Sequence, residues 1–397
     1  MPKISIIIPI FNVQEFLGEC LDSALNQTLK EIELICINDG SSDNSGKILD
    51  EYAKKDSRVK VYHRENKGVG YTRNEALKKA SGEFVAFIDP DDFYPNNYIL
   101  EKMYNCAKEN NVLICGGKMA IFRNGVIIEQ EDYMSLTTIY SFNECELIDY
   151  NDYQFDYGYT RFIYNRQYLI ENNINFPNYK RFEDPLFLVK AFYCAKKAYV
   201  INEVTYIYRN DHKTINWSKK SQIDLLKGLR DNFEFAKENN LDILHKLTYY
   251  RLKEHKRAFR RMNLCVLFNL FCLFFKHAKG HFFDNLLTKI SPMILLNNSI
   301  NKNDEIVFWG ASLFLKDFIK KFHVKTDNVV GIIDKNPNEQ HRMIGKYKVF
   351  SPDEIKNLKP KYVILTIKNN NFKIYQDIKK TLKKDFPEVK LLPNIFE

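Results

Sequence analysis

The first hundred residues alternate short apolar runs with amphipathic stretches, and this alternation restricts the folds that the chain can adopt. Between the runs, apolar residues recur at helical spacing, as Leu17, Leu21 and Ala24 do. Strands that alternate with helices predict an α/β fold with a mainly parallel sheet and helices on both faces. The four runs that have the length and composition of buried strands are residues 3–8, 33–38, 60–63 and 83–88.

Two aspartates directly follow predicted strands. Asp39 begins a run of turn-forming residues at 39–43, which also offers N-cap residues for the next helix. Asp89 follows the fourth apolar run. Because ligands of parallel sheets bind beyond the carboxyl ends of the strands, we expect Asp39 and Asp89 to face one crevice.

The pattern changes twice along the chain, which at 397 residues is too long for one ordinary domain. After a mixed, aromatic-rich stretch, the region from 218 to 290 has mainly helical periodicity, with Leu225, Leu229 and Phe233 on one stripe. A strand–helix–strand pattern resumes near Asp304. We therefore expect a first α/β domain, a helical region and a small second α/β domain, over residues 1–216, 217–300 and 301–397.

Cysteine usage and apolar runs bear on the compartment. The eight cysteines are scattered without a CxxC pair, which argues against a zinc site or a disulfide framework and fits a reducing cytoplasm. The residues after Met1 show no signal-peptide pattern, and the longest apolar stretch, 262–275, is too short to cross a bilayer. The net charge of +9 favours acidic partners, but no nucleic-acid-binding motif accompanies it. We expect a cytoplasmic protein that binds no nucleic acid.

Three carboxylates crowd into the run Asp89-Pro90-Asp91-Asp92 after the fourth predicted strand. Carboxylates this close repel one another unless a cation or hydrogen bonds compensate. Mg²⁺ and Mn²⁺ prefer oxygen ligands and leave positions open for phosphate oxygens. Taken alone, such a run is more often a turn in which an aspartate caps the following helix, so both interpretations stay open.

Five segments, in this order and spacing, resemble the inverting family 2 glycosyltransferases of the GT-A fold. The resemblance covers residues 3–215 and implies that the first domain transfers a sugar from a nucleotide-diphosphate donor, with a UDP-sugar expected. The segments are IIIPIFN at 6–12, INDGSSD at 37–43, NKG at 66–68 with RN at 73–74, FIDPDD at 87–92 and FED at 182–184.

The resemblance implies which residues bind the nucleotide. Pro9 and Phe11 would line the base pocket, and Asp39 would accept a hydrogen bond from a uracil-like base edge. Lys67 would lie in the substrate site, and Arg73 would lie near the base or the diphosphate. Two structural alternatives stay open, namely Asp39 as a turn residue and Arg73 as a cation on a helix surface.

The resemblance also implies a metal and diphosphate station after the fourth strand. Asp89 would contact the ribose or sugar side of the donor, and Asp91, with Asp92, would bind the Mn²⁺ or Mg²⁺ that bridges the phosphates. Further along the chain, His212 would complete the metal sphere and Arg209 would approach the diphosphate. The metal would stabilise the leaving nucleoside diphosphate as a Lewis acid.

Asp184 is implied to be the catalytic base, with its neighbour Glu183 in the substrate site. Adjacent carboxylates perturb each other's pKa, and a general base needs a suitably tuned pKa. Both residues also fit the start of a helix, where acidic side chains are favoured, and the two interpretations are compatible. Many family members have glycine before this pair, whereas Arg181 and Phe182 precede it here, which leaves the acceptor contacts open.

A basic segment at residues 251–261 precedes the apolar run 264–275. Six basic residues and one glutamate give it a balance of +5 (6 − 1). Such a segment can lie on an anionic membrane surface, or it can be a core helix with a solvated basic face, which we favour. The first interpretation would place the chain at the inner face of the cytoplasmic membrane, where lipid-linked glycans are made.

The last domain starts like a dinucleotide-binding turn at residues 307–312, and Asp334 ends the next strand, 24 residues after Gly310. Only one of the three expected glycines is present, since Ser312 and Lys316 stand near the other two positions. We therefore expect a Rossmann-like appendage that packs or docks a partner rather than binding NAD.

These observations together predict a Mn²⁺- or Mg²⁺-dependent inverting glycosyltransferase that acts on a growing or lipid-linked glycan of the bacterial surface. The alternative is a catalytically silent, sugar-nucleotide-binding scaffold of a glycan assembly complex. A second alternative adds an oxidoreductase or sugar-modifying activity in residues 303–397. The identity of the sugar, the linkage and the acceptor cannot be inferred from these motifs.

Overall fold

The computed structural model of the chain describes residues 1–129, 142, 144–210, 217–254, 305–310, 329–365, 378, 380–382 and 384–391. The chain divides into two compact units, Met1–Phe271 and Cys272–Glu397. The domain limits expected after residues 216 and 300 stay predictions. No helix within the described ranges has the length and hydropathy needed to cross a bilayer.

Four parallel strands form one half of the sheet in the first unit, in the order β3-β2-β1-β4. Every residue of β1 and β2 is buried, because α1 packs on one face of the sheet and α3 on the other. The structure confirms the strands and helices predicted for the first hundred residues. Their bounds are β1 Ile4–Ile10, α1 Leu17–Leu25, β2 Ile32–Asp39, α2 Ser45–Lys55, β3 Val59–Arg64, α3 Val69–Lys79 and β4 Phe84–Phe87.

The other half of the sheet is mixed, so the predicted parallel arrangement holds only as far as β4. Beyond β4 the order continues β8-β5-β9-β7, with β6 paired to β5. Only β5 and β9 pair in parallel there, and β5 and β6 form a hairpin, for which a short antiparallel connection suffices. The strands are β5 Ile114–Arg123, β6 Val126–Glu129, β7 Glu146–Asp149, β8 Phe162–Asn165 and β9 Lys197–Arg209.

The helices after β4 cover the mixed half and carry its aromatic core. Phe87 at the end of β4 packs edge-on against Phe176 and Phe187, whose rings stack 3.9 Å apart. These rings lie directly behind the strand end that leads into Asp89, so they fix its backbone. The helices are α4 Ile99–Glu109, α5 Tyr150–Tyr153, α6 Arg166–Glu171, α7 Asp184–Ala195, α8 Lys219–Glu238 and α9 Asp242–Glu254, with a 3₁₀ turn at Tyr159–Arg161.

The second unit contains a six-stranded sheet in the order β12-β13-β11-β10-β14-β15. All its pairs are parallel except the β12–β13 hairpin, which fits the Rossmann-like expectation. The helix expected at 313–322 lies outside the described residues. The elements are β10 Ile306–Trp309, β11 Val329–Ile333, β12 Met343–Ile344, β13 Tyr347–Phe350, a 3₁₀ turn Pro352–Glu354, α10 Ile355–Leu358, β14 Tyr362–Leu365 and β15 Lys390–Leu391.

Candidate active site

Asp39, the last residue of β2, organises the loop that follows β3. Its Oδ1 accepts hydrogen bonds from Arg64 Nε (2.9 Å), Arg64 Nη2 (2.7 Å) and the Lys67 amide (2.9 Å), and its Oδ2 accepts one from the Gly68 amide (2.9 Å). Gly68 has a φ of 94°, a conformation that glycine adopts readily. The side chain is buried, so Asp39 has a structural role in this loop. The predicted contact to a base edge would use Oδ2, which accepts the single bond.

Pro9 and Phe11 lie beside Asp39 at the same edge of the sheet. Pro9 is buried in β1 and pairs in register with Ile37 of β2, and Phe11 follows the strand with 51% of its surface exposed. Lys67 is exposed, and its Nζ lies 5.1 Å from the centre of the Tyr71 ring. The exposed ring of Phe11 and the exposed side chain of Lys67 therefore flank the loop that Asp39 organises.

Arg73 of α3 joins the two carboxylate motifs that lie 94 residues apart (183 − 89). Its Nη2 donates to Asp89 Oδ1 and its Nη1 to Glu183 Oε1, both over 2.9 Å. The guanidinium lies over the rings of Tyr159 (5.0 Å) and Phe176 (5.2 Å), and only 4% of the residue is exposed. The alternative of a surface helix cation is therefore wrong. A buried arginine between two carboxylates holds them at a fixed separation.

Asp89 is the more open of the two carboxylates that Arg73 bridges. Its side chain is 28% exposed, and Oδ1 also accepts a hydrogen bond from the Tyr159 hydroxyl over 3.2 Å. Its amide donates to the Tyr206 hydroxyl over 3.1 Å. Asp89 is thus held from three directions and keeps part of its carboxylate accessible to a ligand.

The position of Asp92 differs from the one expected of a metal ligand. Only 1% of the residue is exposed. Its Oδ2 accepts the Tyr206 hydroxyl over 2.6 Å and its Oδ1 accepts the Arg209 amide over 2.8 Å. Burial raises the pKa of Tyr206 well above its usual value, so that hydroxyl stays a donor. The geometry therefore makes Asp92 a buried anchor of β9, and its role as a metal ligand stays a prediction.

Arg209, at the end of β9, holds the backbone of the predicted metal-binding turn, residues 89–92. Its Nε donates to the Asp91 carbonyl over 2.9 Å, and its Nη2 pairs with Glu19 of α1. The guanidinium is buried among three phenylalanine rings, and a diphosphate contact stays a prediction. The rings are those of Phe16, Phe93 and Phe122, at 4.6–5.2 Å from the guanidinium.

The oxygen donors at this strand end suit a hard divalent cation. Asp91 is half-buried and Asp89 is partly exposed, so solvent and a ligand can reach both. Within the described residues no cluster of three His, Cys, Asp or Glu side chains forms a metal site. His212, the other predicted ligand, lies outside the described residues. A cation here would take one or two protein carboxylates and fill its sphere with phosphate and water oxygens, as Mg²⁺ commonly does.

Asp184 is the first residue of α7, and Pro185 follows it in the first turn. The side chain is half-buried. Burial, followed by the negative charge of Glu183, raises its pKa from about 3.8 to about 7, although Arg73 and Arg251 act in the opposite direction. A carboxylate with a pKa near neutrality can accept a proton and release it again under physiological conditions.

Several residues around Asp184 had no local sequence signal. The rings of Tyr159 and Phe176 both lie close to the Arg73 guanidinium. Arg251 of α9 forms a buried, two-pronged ion pair with Asp156, at 2.6 Å (Nη2–Oδ1) and 2.8 Å (Nε–Oδ2). This corrects the interpretation of the basic segment, because its first member lies in the protein core rather than on a solvated face. The rest of that segment beyond residue 254 lies outside the described residues.

Comparison with known proteins gives two matches to family models. The model described as "Glycosyl transferase family 2" matches residues 5–172, which include β1 to β8 and Asp89. The model described as "C2185-like, N-terminal" matches residues 302–388 in the second unit. The first match covers the half of the sheet on which the predicted donor residues lie.

Individual proteins agree with the first match. The chain is 30% identical over 275 residues to the putative glycosyltransferase EpsH of Bacillus subtilis, covering 67% of this chain and 77% of that protein. It is 36% identical over 211 residues to the poly(ribitol-phosphate) beta-glucosyltransferase of Bacillus spizizenii, covering 52% of this chain but only 32% of that protein. The crystal structure of S. aureus TarS 1–349 in complex with UDP-GlcNAc has the same fold, with a TM-score of 0.55 at 23% identity over 75% of this chain and 87% of that one. The chain is a member of glycosyltransferase family 2 with the GT-A fold.

Proposed function

We propose that the chain is an inverting, metal-dependent glycosyltransferase that moves one sugar from a UDP-linked donor to a hydroxyl of a bacterial surface glycan. The observation that carries this proposal is the Arg73 bridge, which brings Asp89 next to the Glu183–Asp184 pair. A transferase needs a donor-binding group and a base on either side of one anomeric carbon, and this bridge sets such a pair at a fixed separation.

The donor nucleotide would bind at the edge where β1 and β2 end. Phe11 offers an exposed ring for the base, with Pro9 behind it and Asp39 beside it. Lys67 offers a positive charge near the mouth of this edge. The crystal structure of TarS was determined with UDP-GlcNAc, which supports a UDP-sugar as the donor class.

Asp91 would hold Mn²⁺ or Mg²⁺ together with the donor phosphates, and Asp89 would contact the ribose or sugar side of the donor. When bound, the cation would neutralise charge on the leaving nucleoside diphosphate. Arg209 keeps the Asp91 backbone in place through its carbonyl, so the protein's own contribution is a fixed position for this carboxylate. Asp92 contributes indirectly, by tying the same turn to β9.

Asp184 would take the proton of the acceptor hydroxyl while that oxygen attacks the anomeric carbon. The new carbon–oxygen bond forms on the face opposite the bond to UDP, which breaks with its electron pair leaving on the diphosphate. A base whose pKa lies near 7 is ionised in a useful fraction of molecules at neutral pH and still binds a proton well. Glu183 is held by Arg73, so its charge stays fixed beside the base.

The acceptor is proposed to be a growing or lipid-linked surface glycan at the cytoplasmic face of the membrane. One relative is named for the transfer of glucose to poly(ribitol-phosphate), which supports a polymer acceptor. The membrane contact itself rests on the basic segment, most of which lies outside the described residues.

A thermal-shift screen of UDP-sugars with and without Mn²⁺ tests this proposal. We expect one donor to raise the melting temperature only when Mn²⁺ is present, because a ligand that binds only the folded state stabilises it. A silent scaffold would bind the same donor, so UDP release is measured in parallel. Donor binding without any UDP release would favour the scaffold, and no donor binding at all would refute the proposal.

An activity of the second unit is a separate question. Gly310 donates its amide to the Ile333 carbonyl over 2.8 Å, and the Asp334 carboxylate accepts the Asn336 amide over 2.8 Å. Both groups therefore have partners within the unit, which supports a packing or docking role. Quenching of Trp309 fluorescence by NADH would contradict this proposal.

A further inference from the structure

We propose that α8 and Arg251 of α9 form a clamp that positions Asp184, acting through the loop at residues 177–183. This proposal rests on the proposed function, since it concerns the base of that reaction. The clamp consists of residues that lie beyond the matched family segment of 5–172 and that contact the loop at residues 179–182.

The loop reaches Asp184 through a residue in an unfavourable backbone conformation. Phe182 has a φ of 65°, in the left-handed region where a side chain is disfavoured. The residue is buried, so the surrounding structure encloses its side chain. Such a conformation persists only when the surrounding structure holds it, and here it directly precedes Glu183 and Asp184.

Gly228 of α8 allows the close approach that holds Phe182. A Cβ atom at position 228 would lie 2.7 Å from the Phe182 carbonyl oxygen and 2.8 Å from its Cδ1. Both distances are too short for a real contact, so the helix and the loop can meet only at a glycine. Glycine weakens a helix interior, and its presence here has a packing reason.

Two aspartates of α8, one before and one after Gly228, accept hydrogen bonds from the loop. Asp224 accepts the Lys180 amide over 3.0 Å, and Asp231 accepts the Tyr179 hydroxyl over 2.6 Å. Each of these residues lies about one turn from Gly228 along the same helix face, at spacings of four and three. One face of α8 therefore carries three separate contacts to the loop that ends in the base.

Arg251 closes the clamp from α9. Its guanidinium lies 6.0 Å from the Phe182 ring centre and 5.4 Å from that of Tyr157. The ion pair with Asp156 fixes this guanidinium, because both carboxylate oxygens accept from it. The residue that precedes the catalytic pair is thus enclosed by a helix backbone on one side and a fixed cation on another.

The start of the loop is held by α3. Asn74 exchanges two hydrogen bonds with Phe176, through its side-chain amide to the carbonyl (2.8 Å) and its Oδ1 from the amide (2.9 Å). Gly70 approaches the Pro177 carbonyl, which a Cβ at that position would meet at 2.4 Å. α3 therefore holds the start of the loop and, through Arg73, also Glu183 at its end, where α8 and α9 hold Phe182.

The test is Gly228→Ala in the full chain, with UDP release from UDP-GlcNAc measured in the presence of Mn²⁺. We expect kcat to fall about tenfold or more while KM for the donor stays within about twofold, because a misplacement of ~1 Å at reacting groups costs on the order of 100-fold in rate. Gly18→Ala in α1 is the matched control, since its Cβ would lie an ordinary 3.6 Å from the Tyr52 hydroxyl. A kcat for Gly228→Ala equal to that of Gly18→Ala would overturn the proposal.

A second variant separates positioning from loss of folding. Adding Phe182→Gly to Gly228→Ala removes the ring contact and lets the more flexible backbone at 182 move its carbonyl away from the new Cβ, so we expect it to restore part of kcat. Failure of this rescue, with a donor KM that rises in step with the loss of kcat, would contradict the clamp.

Amide hydrogen exchange decides the same question without turnover. In Gly228→Ala we expect faster exchange at residues 179–184 and unchanged exchange in β1 to β4. Unchanged exchange at 179–184 would refute the clamp. If the wild-type chain releases no UDP from any donor, the proposed function fails, and the exchange experiment still decides whether α8 holds the loop.

Discussion

The two halves of the first unit build their parts of the site in different ways. In the parallel half, Asp39 is bonded to residues 64–68 of the neighbouring strand and loop, and the geometry follows from adjacent strand ends. In the mixed half, Asp184 depends on a strained loop, on α8 and α9, and on an arginine from α3. The proposed donor site can thus be built from local turns, while the proposed base requires distant parts of the chain.

Arg73 is the point at which the two halves meet. It lies on a helix of the parallel half, and its guanidinium contacts one carboxylate from each half. If the parallel half binds the donor and the mixed half supplies the base, substitutions in the first should change donor affinity and substitutions in the second should change kcat. Substitution of Arg73 should affect both.

The largest effect is expected for Asp184→Asn in the mixed half. Removing a general base costs on the order of 10²–10⁴-fold in rate, so kcat for UDP release should fall by that factor. Glu109→Gln, an exposed acidic residue at the end of α4, serves as the control. Retention of more than about a tenth of the wild-type kcat would remove Asp184 as the base, given the size of a base contribution.

The next largest effect is expected for Arg73→Met, which breaks the link between the halves. Two carboxylates would lose their shared cation in a buried site, which costs about 3–5 kcal/mol of unfolding free energy. The control is Lys108→Met, whose partner Glu83 lies in a largely exposed ion pair worth about 0–1 kcal/mol. Urea unfolding measures the stability of both variants. Equal losses of unfolding free energy would show that Arg73 stabilises the fold no more than an exposed lysine does.

The third prediction compares the neighbouring residues Asp91 and Asp92, both in the parallel half. Asp92→Asn places an amide against the Tyr206 and Arg209 donors and should cost about 1–3 kcal/mol of stability. Asp91→Asn should change the unfolding free energy by less than about 0.5 kcal/mol. It should nevertheless abolish the Mn²⁺-dependent thermal shift by the UDP-sugar. If Asp92→Asn abolished the Mn²⁺-dependent thermal shift and Asp91→Asn did not, Asp92 rather than Asp91 would be the metal ligand.

A smaller, graded effect is expected from pH. Because Asp184 must be ionised to accept a proton, kcat should rise with pH and reach half its plateau near pH 7. A midpoint near the usual aspartate value would show that burial does not tune this group.

The same pKa has a consequence for stability with a defined sign. A carboxyl whose pKa is raised on folding binds its proton more tightly in the folded state, so folding loses stability as the pH rises from about 4 to about 7. Asp184→Asn should therefore raise the urea midpoint relative to wild type more at pH 8 than at pH 4. An equal difference at both pH values would contradict the raised pKa.

Sequence patterns predict the donor half well, for physical reasons. Strand periodicity and the rule that ligands bind at carboxyl strand ends locate Asp39 and Asp89, because both depend on neighbouring residues alone. The mixed half is less predictable. The Arg73–Glu183 contact joins residues 110 apart and the Asp156–Arg251 pair joins residues 95 apart, and no local pattern encodes them.

The carboxylate run at residues 89–92 shows the same limit at shorter range. The motif identifies three candidates, but which carboxylate turns inward depends on Tyr206 and Arg209 of a distant strand. Arg73 is a similar case, because a helical pattern alone cannot distinguish a buried cation from an exposed one.

The most direct test of the division between the halves is the dissociation constant of UDP, measured by calorimetry with Mn²⁺ in Asp184→Asn and in Asp91→Asn. We predict that Asp184→Asn binds UDP within about threefold of wild type despite its loss of turnover, since uniform binding and transition-state stabilisation are separable. Asp91→Asn should lose the Mn²⁺-dependent part of the affinity. A loss of UDP affinity in Asp184→Asn as large as that in Asp91→Asn would contradict the division.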